Sequence, residues 1–296
     1  MADIFWRLYR GVVRLFTGTG IGALPPIRAL HNAITRRFKP ETVVVHGFRM
    51  RLDSVDSLAL AYHGVYEPFE TELVKRYARP GAVALDIGAN IGYYTLLMAS
   101  IAGPEGRVYA FEPEPANYAL LCENLRANNL GNVTTFQKAV SDREGVVCLS
   151  MSSENMGDHR IHHRGAGRRL AEVEAVTVDS LADELGGRLC LVKMDIQGAE
   201  GLALKGMQET LKRNPQAKVI MEFWPRRLAE CGCDAAECLG LLEGLGFRFA
   251  VIDEKLRALR PETSRTLVAA TRGQVNLLCS RDGETEGPGV AQGRQA

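Results

Sequence analysis

Residues Val83–Thr95 read VALDIGANIGYYT: a short apolar run that closes on Asp86-Ile87, then a turn carrying Gly88, Asn90 and Gly92, then a segment of helical composition. Glycine accepts positive φ and lets a ligand approach the backbone, and asparagine is among the few other residues that tolerate the left-handed region. We read this turn as a cofactor cradle. The dinucleotide fingerprint G-x-G-x-x-G would place glycines at 88, 90 and 93, where the chain has Asn90 and Tyr93. A pyrophosphate would meet side chains there, so the turn suits a ligand without phosphates, and Asp86 favours a cationic or amino-bearing one. The next strand ends in Phe111-Glu112-Pro113. Glu112 thus stands at a second strand tip, where an acid commonly hydrogen-bonds ribose hydroxyls. The plainer alternative is that Asp86 and Glu112 only cap the helices that follow them.

Outward from this turn, apolar β-branched runs predict strands at 83–87, 107–112, 133–140, 189–195, 218–224, 247–252 and 274–279. Helical patterns separate most of them, at 93–101, 115–129, 199–213 and 234–245. Alternation of this kind implies an α/β fold: a doubly wound, mostly parallel seven-stranded sheet with ligands at the carboxyl ends of its strands. With no clear helix between them, the last two strands are expected to pair as an antiparallel edge. Residues 146–178 break the rhythm, with two β-like runs flanking a basic loop, and are expected to cover the site. A hairpin over 43–52 and a helix over 68–78 precede the sheet.

Four motifs in order, DIGANIGYYT, FEPEPANYALLCENL, VKMDIQGAEGLALKGM and VIMEFWP, resemble the FkbM family of S-adenosylmethionine-dependent methyltransferases, which have a class I, Rossmann-like fold. The resemblance covers about residues 66–280. Its diagnostic motif, K-x-D-x-x-G-x-E, is matched at Lys193, Asp195, Gly198 and Glu200, and Gln197 stands where the family varies. The resemblance implies that Asp86, Gly88, Asn90, Gly92 and Thr95 surround the methionine part of S-adenosylmethionine, Glu112 its ribose, and the backbone from Ala139 to Asp142 its adenine. It also implies O-methylation of a small-molecule, glycan or lipid-linked hydroxyl. A sulfonium methyl is already activated, so the protein must align the acceptor and accept a proton. Asp195 and Glu222, at the ends of the fourth and fifth strands, are the candidate bases, with His162 next. Either acid has a structural alternative: Asp195 as a helix cap, Glu222 as a partner of Arg226 or Arg227. A divalent metal held by the two carboxylates is a further possibility, although two acids alone do not make a metal site.

Composition sets the boundaries of this reading. With 296 residues, 46% hydrophobic and 24% charged, the chain is an ordinary globular one, and its formal net charge of +1 gives no basic field for nucleic acid. Seven cysteines, an odd number without a secretory signal, fit a reducing, cytoplasmic compartment. Cys231, Cys233 and Cys238 lack a convincing fourth ligand for zinc. His159, His162 and His163, with Arg160, Arg164, Arg168 and Arg169, form the basic loop of the insertion, read as solvated or as a specificity element. The charge is uneven: residues 1–39 hold seven Lys or Arg and one acid, Asp3, a net +6 against −5 for the remainder. Phe5, Trp6, Tyr9, Val12, Val13 and Phe16 recur at helical spacing, with Arg7, Arg10 and Arg14 on another face. That stripe either packs on the domain or a second subunit, or rests peripherally on a membrane.

The organisation is therefore a basic helical extension over 1–40, a hairpin and helix over 41–80, the catalytic domain over 81–280 and a polar, disordered tail over 281–296. A catalytically silent module that binds a partner or a membrane is the alternative function. Oligomeric state is open.

Overall fold

The computed structural model describes residues 2–16, 19, 24–151, 160–161, 169–186 and 188–282. The chain begins with α1 (Ala2–Phe16) and α2 (Pro25–Phe38), then a hairpin of β1 (Thr42–Val45) and β2 (Phe48–Arg51), then α3 (Leu60–His63) and α4 (Pro68–Tyr77). β3 (Val83–Ile87), α5 (Tyr93–Ala102), β4 (Arg107–Phe111), α6 (Pro115–Ala127) and β5 (Val133–Phe136) alternate after it. The insertion supplies β6 (Ala139–Val140), β7 (Gly145–Met151), β8 (Arg160–Ile161) and β9 (Arg169–Val176), and α7 (Ala182–Leu185) leads into β10 (Leu189–Met194). The remainder runs α8 (Glu200–Lys205), α9 (Gln208–Arg213), β11 (Lys218–Phe223), α10 (Pro225–Glu230), α11 (Ala235–Gly244), β12 (Arg248–Asp253), β13 (Ala258–Glu262), α12 (Ser264–Ala270) and β14 (Val275–Ser280).

The central sheet has the order β13-β12-β14-β11-β10-β3-β4-β5. From β11 to β5 all pairings are parallel. Every residue of β3, β10 and β11 is buried, as expected of strands covered on both faces. One face packs under α4 and α5, where Leu73, Leu96 and Ile220 share a core; the other lies under α8, α9 and α11, with Met194, Leu211 and Leu239. Strand order reverses between β3 and β10, which opens a crevice at their carboxyl ends.

Three expectations are corrected. β14 is antiparallel but not an edge: it lies between β11 and β12 and pairs with both. The edge is an eighth strand, β13, hidden in the sequence by Pro261; proline is tolerated there because an edge strand need not donate on its outer side. The single strand expected over 133–140 is two, because β5 ends the central sheet while β6 joins a separate four-stranded sheet, β6-β9-β7-β8. The helix expected over 199–213 breaks at Gly206 and Met207. A side chain at Gly206 would lie 2.1 Å from the Ser141 carbonyl oxygen, and Asp179 then caps the new helix by accepting from Glu209 N at 3.1 Å and Thr210 N at 2.7 Å.

Of the expected tail, Arg281 and Asp282 are tied to the domain: Arg281 donates to the carbonyls of Leu245, Asn214 and Leu211, and Asp282 pairs with Lys218. Residues 283–296 lie outside the described residues, as do His159, His162, His163, Arg164 and Arg168.

Candidate active site

At the end of β3, Asp86 is buried and accepts a hydrogen bond from the Thr95 hydroxyl one turn into α5. It therefore fastens the strand to the helix from inside, and burial pushes its carboxyl up to about 6 against the opposing pull of Thr95 and Lys193. Gly88 has φ +84°, and a Cβ there would sit 2.1 Å from the Asp195 carbonyl oxygen. That glycine thus brings the β3 turn against the β10 turn. Asn90 does adopt the left-handed region, at φ +50°, its carbonyl side chain accepting from Ile91 N. Gly92, at φ +95°, makes room for Leu121 of α6.

Glu112 is 5% exposed and accepts one backbone N–H on each carboxyl oxygen, from Asn90 at 2.8 Å and Glu114 at 2.9 Å. Burial lifts its carboxyl to about 7. It is not the cap of α6: Glu114 fills that place, accepting from Asn117 N at 2.6 Å. Beside it, the rings of Phe111 and Phe136 stack at 4.8 Å.

Asp195 lies just past β10, half-buried, and it does not cap α8. Glu200 does the holding instead, its two carboxyl oxygens taking the backbone N–H groups of Ile196 at 3.0 Å and Gly198 at 2.9 Å. Asp195 is steadied by Gln197, whose side-chain amide donates to it at 2.9 Å. Gln197 is itself left-handed at φ +55°, and Gly198 at φ +110° leaves room for the Arg227 carbonyl. Two residues earlier, Lys193 is buried with its ammonium 3.0 Å from Glu70 of α4 and 5.2 Å from the centre of the Tyr94 ring. Burial, which lowers a lysine, is outweighed there by Glu70, Asp195 and Glu67, and the ammonium stays charged.

Glu222 is 1% exposed and neither carboxyl oxygen has a hydrogen-bond partner. Burial, reinforced by Asp195 and Glu200, pushes it up to about 10. It does not pair with Arg226 or Arg227, which reach Glu230 at 3.1 and 3.4 Å. Glu222 is not part of the cavity wall, and its burial favours the protonated form, which does not favour it as a base.

These elements enclose a cavity of about 340 Å³ at the strand-order reversal, the size of an ordinary small-ligand pocket. Asp86, Gly88, Asn90, Glu112, Ala139 and Asp195 line it. Three expected residues do not. Thr95 is buried behind Asp86, and Gly92 faces α6. Asp142 is turned toward Ser141, at 3.2 Å, and Arg143, at 3.9 Å. The wall also includes Tyr66, Tyr94, Asn117, Lys193, Leu149 and Trp224. Lys193 was visible in its motif, whereas Tyr66 and Leu149 reach the cavity only through the long-range packing of the 57–68 segment and the insertion. Among the described residues no three His, Cys, Asp or Glu side chains are placed to hold a metal ion. Of the expected pair, Asp195 lines the cavity and Glu222 does not, and an ammonium shares the wall with Asp195.

An open α/β sheet with acids at the tips of two neighbouring strands, both facing a crevice at the reversal of strand order, defines a Rossmann-like protein. The family described as Methyltransferase FkbM domain matches residues 86–249. The 31-O-demethyl-FK506 methyltransferase FkbM of Streptomyces tacrolimicus is 46% identical over 217 residues, 61% of this chain and 78% of that one. Methyltransferase 1 of Beauveria bassiana is 26% identical over 187 residues, 56% and 72% of the two chains. The 2-O-methyltransferase NoeI of Sinorhizobium fredii is 28% identical over 158 residues, 48% and 64%. The chain belongs to the FkbM methyltransferase family, and it is a methyltransferase.

Proposed function

We propose that the chain transfers a methyl group from S-adenosylmethionine to a hydroxyl oxygen of a sugar, glycolipid or other small molecule, with Asp195 accepting the acceptor's proton. The observation that supports this most is the division of labour around Asp195: Glu200 holds the turn, Gln197 steadies the carboxylate, and Asp195 is left at the cavity wall without a capping duty.

The cavity suits the cofactor by its donor set. Each oxygen of Glu112 accepts one backbone N–H and so keeps a lone pair for a diol, which offers two O–H donors. Asp86 gives the β3 side of the wall an acidic group matched to a cationic ligand. Bound there, S-adenosylmethionine supplies an activated methyl on a positively charged sulfur. Ionised Glu112 accepts from the ribose hydroxyls. Asp195 accepts a hydrogen bond from the acceptor hydroxyl, orients it, and takes its proton as the oxygen becomes nucleophilic. Lys193, held by Glu70, keeps a fixed positive charge near Asp195.

Oxygen as the acceptor atom agrees with the names of these two relatives, a 2-O-methyltransferase and a 31-O-demethyl-FK506 methyltransferase. The test is an acceptor screen with labelled methyl donor, followed by Asp195→Asn. That variant should cut turnover by about 10² to 10⁴ while affinity for the cofactor and the melting temperature stay nearly unchanged. Methylation at the wild-type rate would remove Asp195 from the chemistry.

A further inference from the structure

Among the described residues the N-terminal helices present an exposed apolar face. On α1, Trp6 is buried against Tyr62 of α3, ring centres 4.9 Å apart, and Tyr9 hydrogen-bonds His31 of α2 at 3.0 Å. That stripe is spent on the domain. Phe5, Leu8, Val12 and Leu15 recur at three- and four-residue spacing on the adjacent face and are 40%, 69%, 49% and 79% exposed. On α2, Ile27, Leu30 and Phe38 are also exposed. The rings of Phe5 and Phe38 meet at 4.7 Å, which joins the two stripes into one surface. The helical stripe anticipated as one face is therefore two: half packs, half is free.

Charge selects what covers the free half. Residues 1–39 carry +6 while the rest of the chain carries −5. A second copy placed on this face would bring a second +6 against the first. An anionic surface would meet the opposite sign. Arg28 and Arg37 are exposed beside the α2 stripe, and Arg37 lies 5.5 Å from the centre of the Phe38 ring, so a cation and an aromatic edge are presented together. Aromatic and aliphatic side chains with neighbouring arginines are the composition of helices that lie in the interface of a bilayer. Among the described residues no helix is long and apolar enough to cross one.

We propose that the α1–α2 face docks on an anionic lipid surface, with Phe5, Leu8, Val12 and Leu15 of α1 and Leu30 and Phe38 of α2 at the headgroup boundary. Docking would orient the site. α1 packs on α3, and the segment around α3 supplies Ser57, Leu58 and Tyr66 to the cavity wall, so the docked helices connect to that wall through α3. That consequence for a lipid-linked acceptor rests on the methyl-transfer reading; the docking does not.

The experiment is cosedimentation of the full chain with vesicles of phosphatidylcholine alone and of phosphatidylcholine with phosphatidylglycerol, at low and high salt. The chain should bind the mixed vesicles at least about tenfold more tightly than the neutral ones, and added salt should weaken that binding. Leu8→Glu with Leu30→Glu should abolish it while the circular dichroism spectrum and melting temperature stay as in the wild type, because both side chains are exposed. Arg28→Glu with Arg37→Glu should abolish the preference for the anionic vesicles. Equal sedimentation with and without phosphatidylglycerol, or unchanged binding by the Leu8→Glu, Leu30→Glu chain, overturns the proposal. So does a dimer in analytical ultracentrifugation that the same double variant dissociates, since the face would then belong to a second copy.

Discussion

Glu222 shows how far burial can turn a carboxylate away from its usual role. In the unfolded chain it releases its proton near 4.5, whereas in the folded protein it holds it up to about 10. The folded state therefore binds more protons through that window, and stability contributed by this group is present below the unfolded value and lost as pH rises. Glu222→Gln should raise the melting temperature at neutral and alkaline pH and flatten its decline, with methyl transfer retained. A pH-independent loss of stability in that variant would mean that the carboxylate is ionised and paired. Gly88 carries a second constraint besides its place in the cavity wall: its backbone closely approaches the Asp195 carbonyl. Gly88→Ala should cost about 2–4 kcal/mol in urea unfolding, from overpacking together with left-handed strain, and should disturb the turn that carries Asp195. Periodicity reports where a residue lies along the chain but not which backbone crosses it.

The β10–α8 turn joins sequence to chemistry at the scale of an element. Its four family residues divide the work: Lys193 pairs with α4, Asp195 faces the cavity, Gly198 makes room for the Arg227 carbonyl, and Glu200 ties the turn. Spacing alone could not separate the cap from the base, because both are acids at the start of one helix. Glu200→Ala should leave the N–H groups of Ile196 and Gly198 without acceptors and cost about 1–3 kcal/mol on urea unfolding. Loss of turnover should accompany it, as Asp195 loses its fixed backbone. Lys193→Met should be more damaging, about 3–5 kcal/mol, since it strands the buried Glu70 charge; Lys193→Met with Glu70→Gln should recover part of that loss. Seven of the eight strands of the central sheet were legible because most are apolar or β-branched runs bounded by turn residues. β13 was not, because an edge strand with a proline lacks that pattern.

At the scale of the whole molecule, the parallel sheet fixes where a ligand must lie, and the two strand-tip acids on either side of the Gly88 turn give that place its chemistry. The mostly parallel sheet, with ligands at the carboxyl ends of its strands, follows from alternation alone. The depth of the cavity does not, because Tyr66, Leu149 and Trp224 come from distant segments. Isothermal titration calorimetry with S-adenosylhomocysteine, on the wild type and on Glu112→Ala, measures the ligand claim without requiring an acceptor. The wild type should bind the demethylated cofactor and not NAD. Glu112→Ala should lose about 1.5–3 kcal/mol of that binding, the worth of hydrogen bonds to a charged acceptor. Affinity should rise as pH is raised through about 7 in the wild type, because the ionised carboxylate is the form that accepts from the diol. No heat with S-adenosylhomocysteine, or equal affinity in wild type and Glu112→Ala, would contradict the assignment of this cavity.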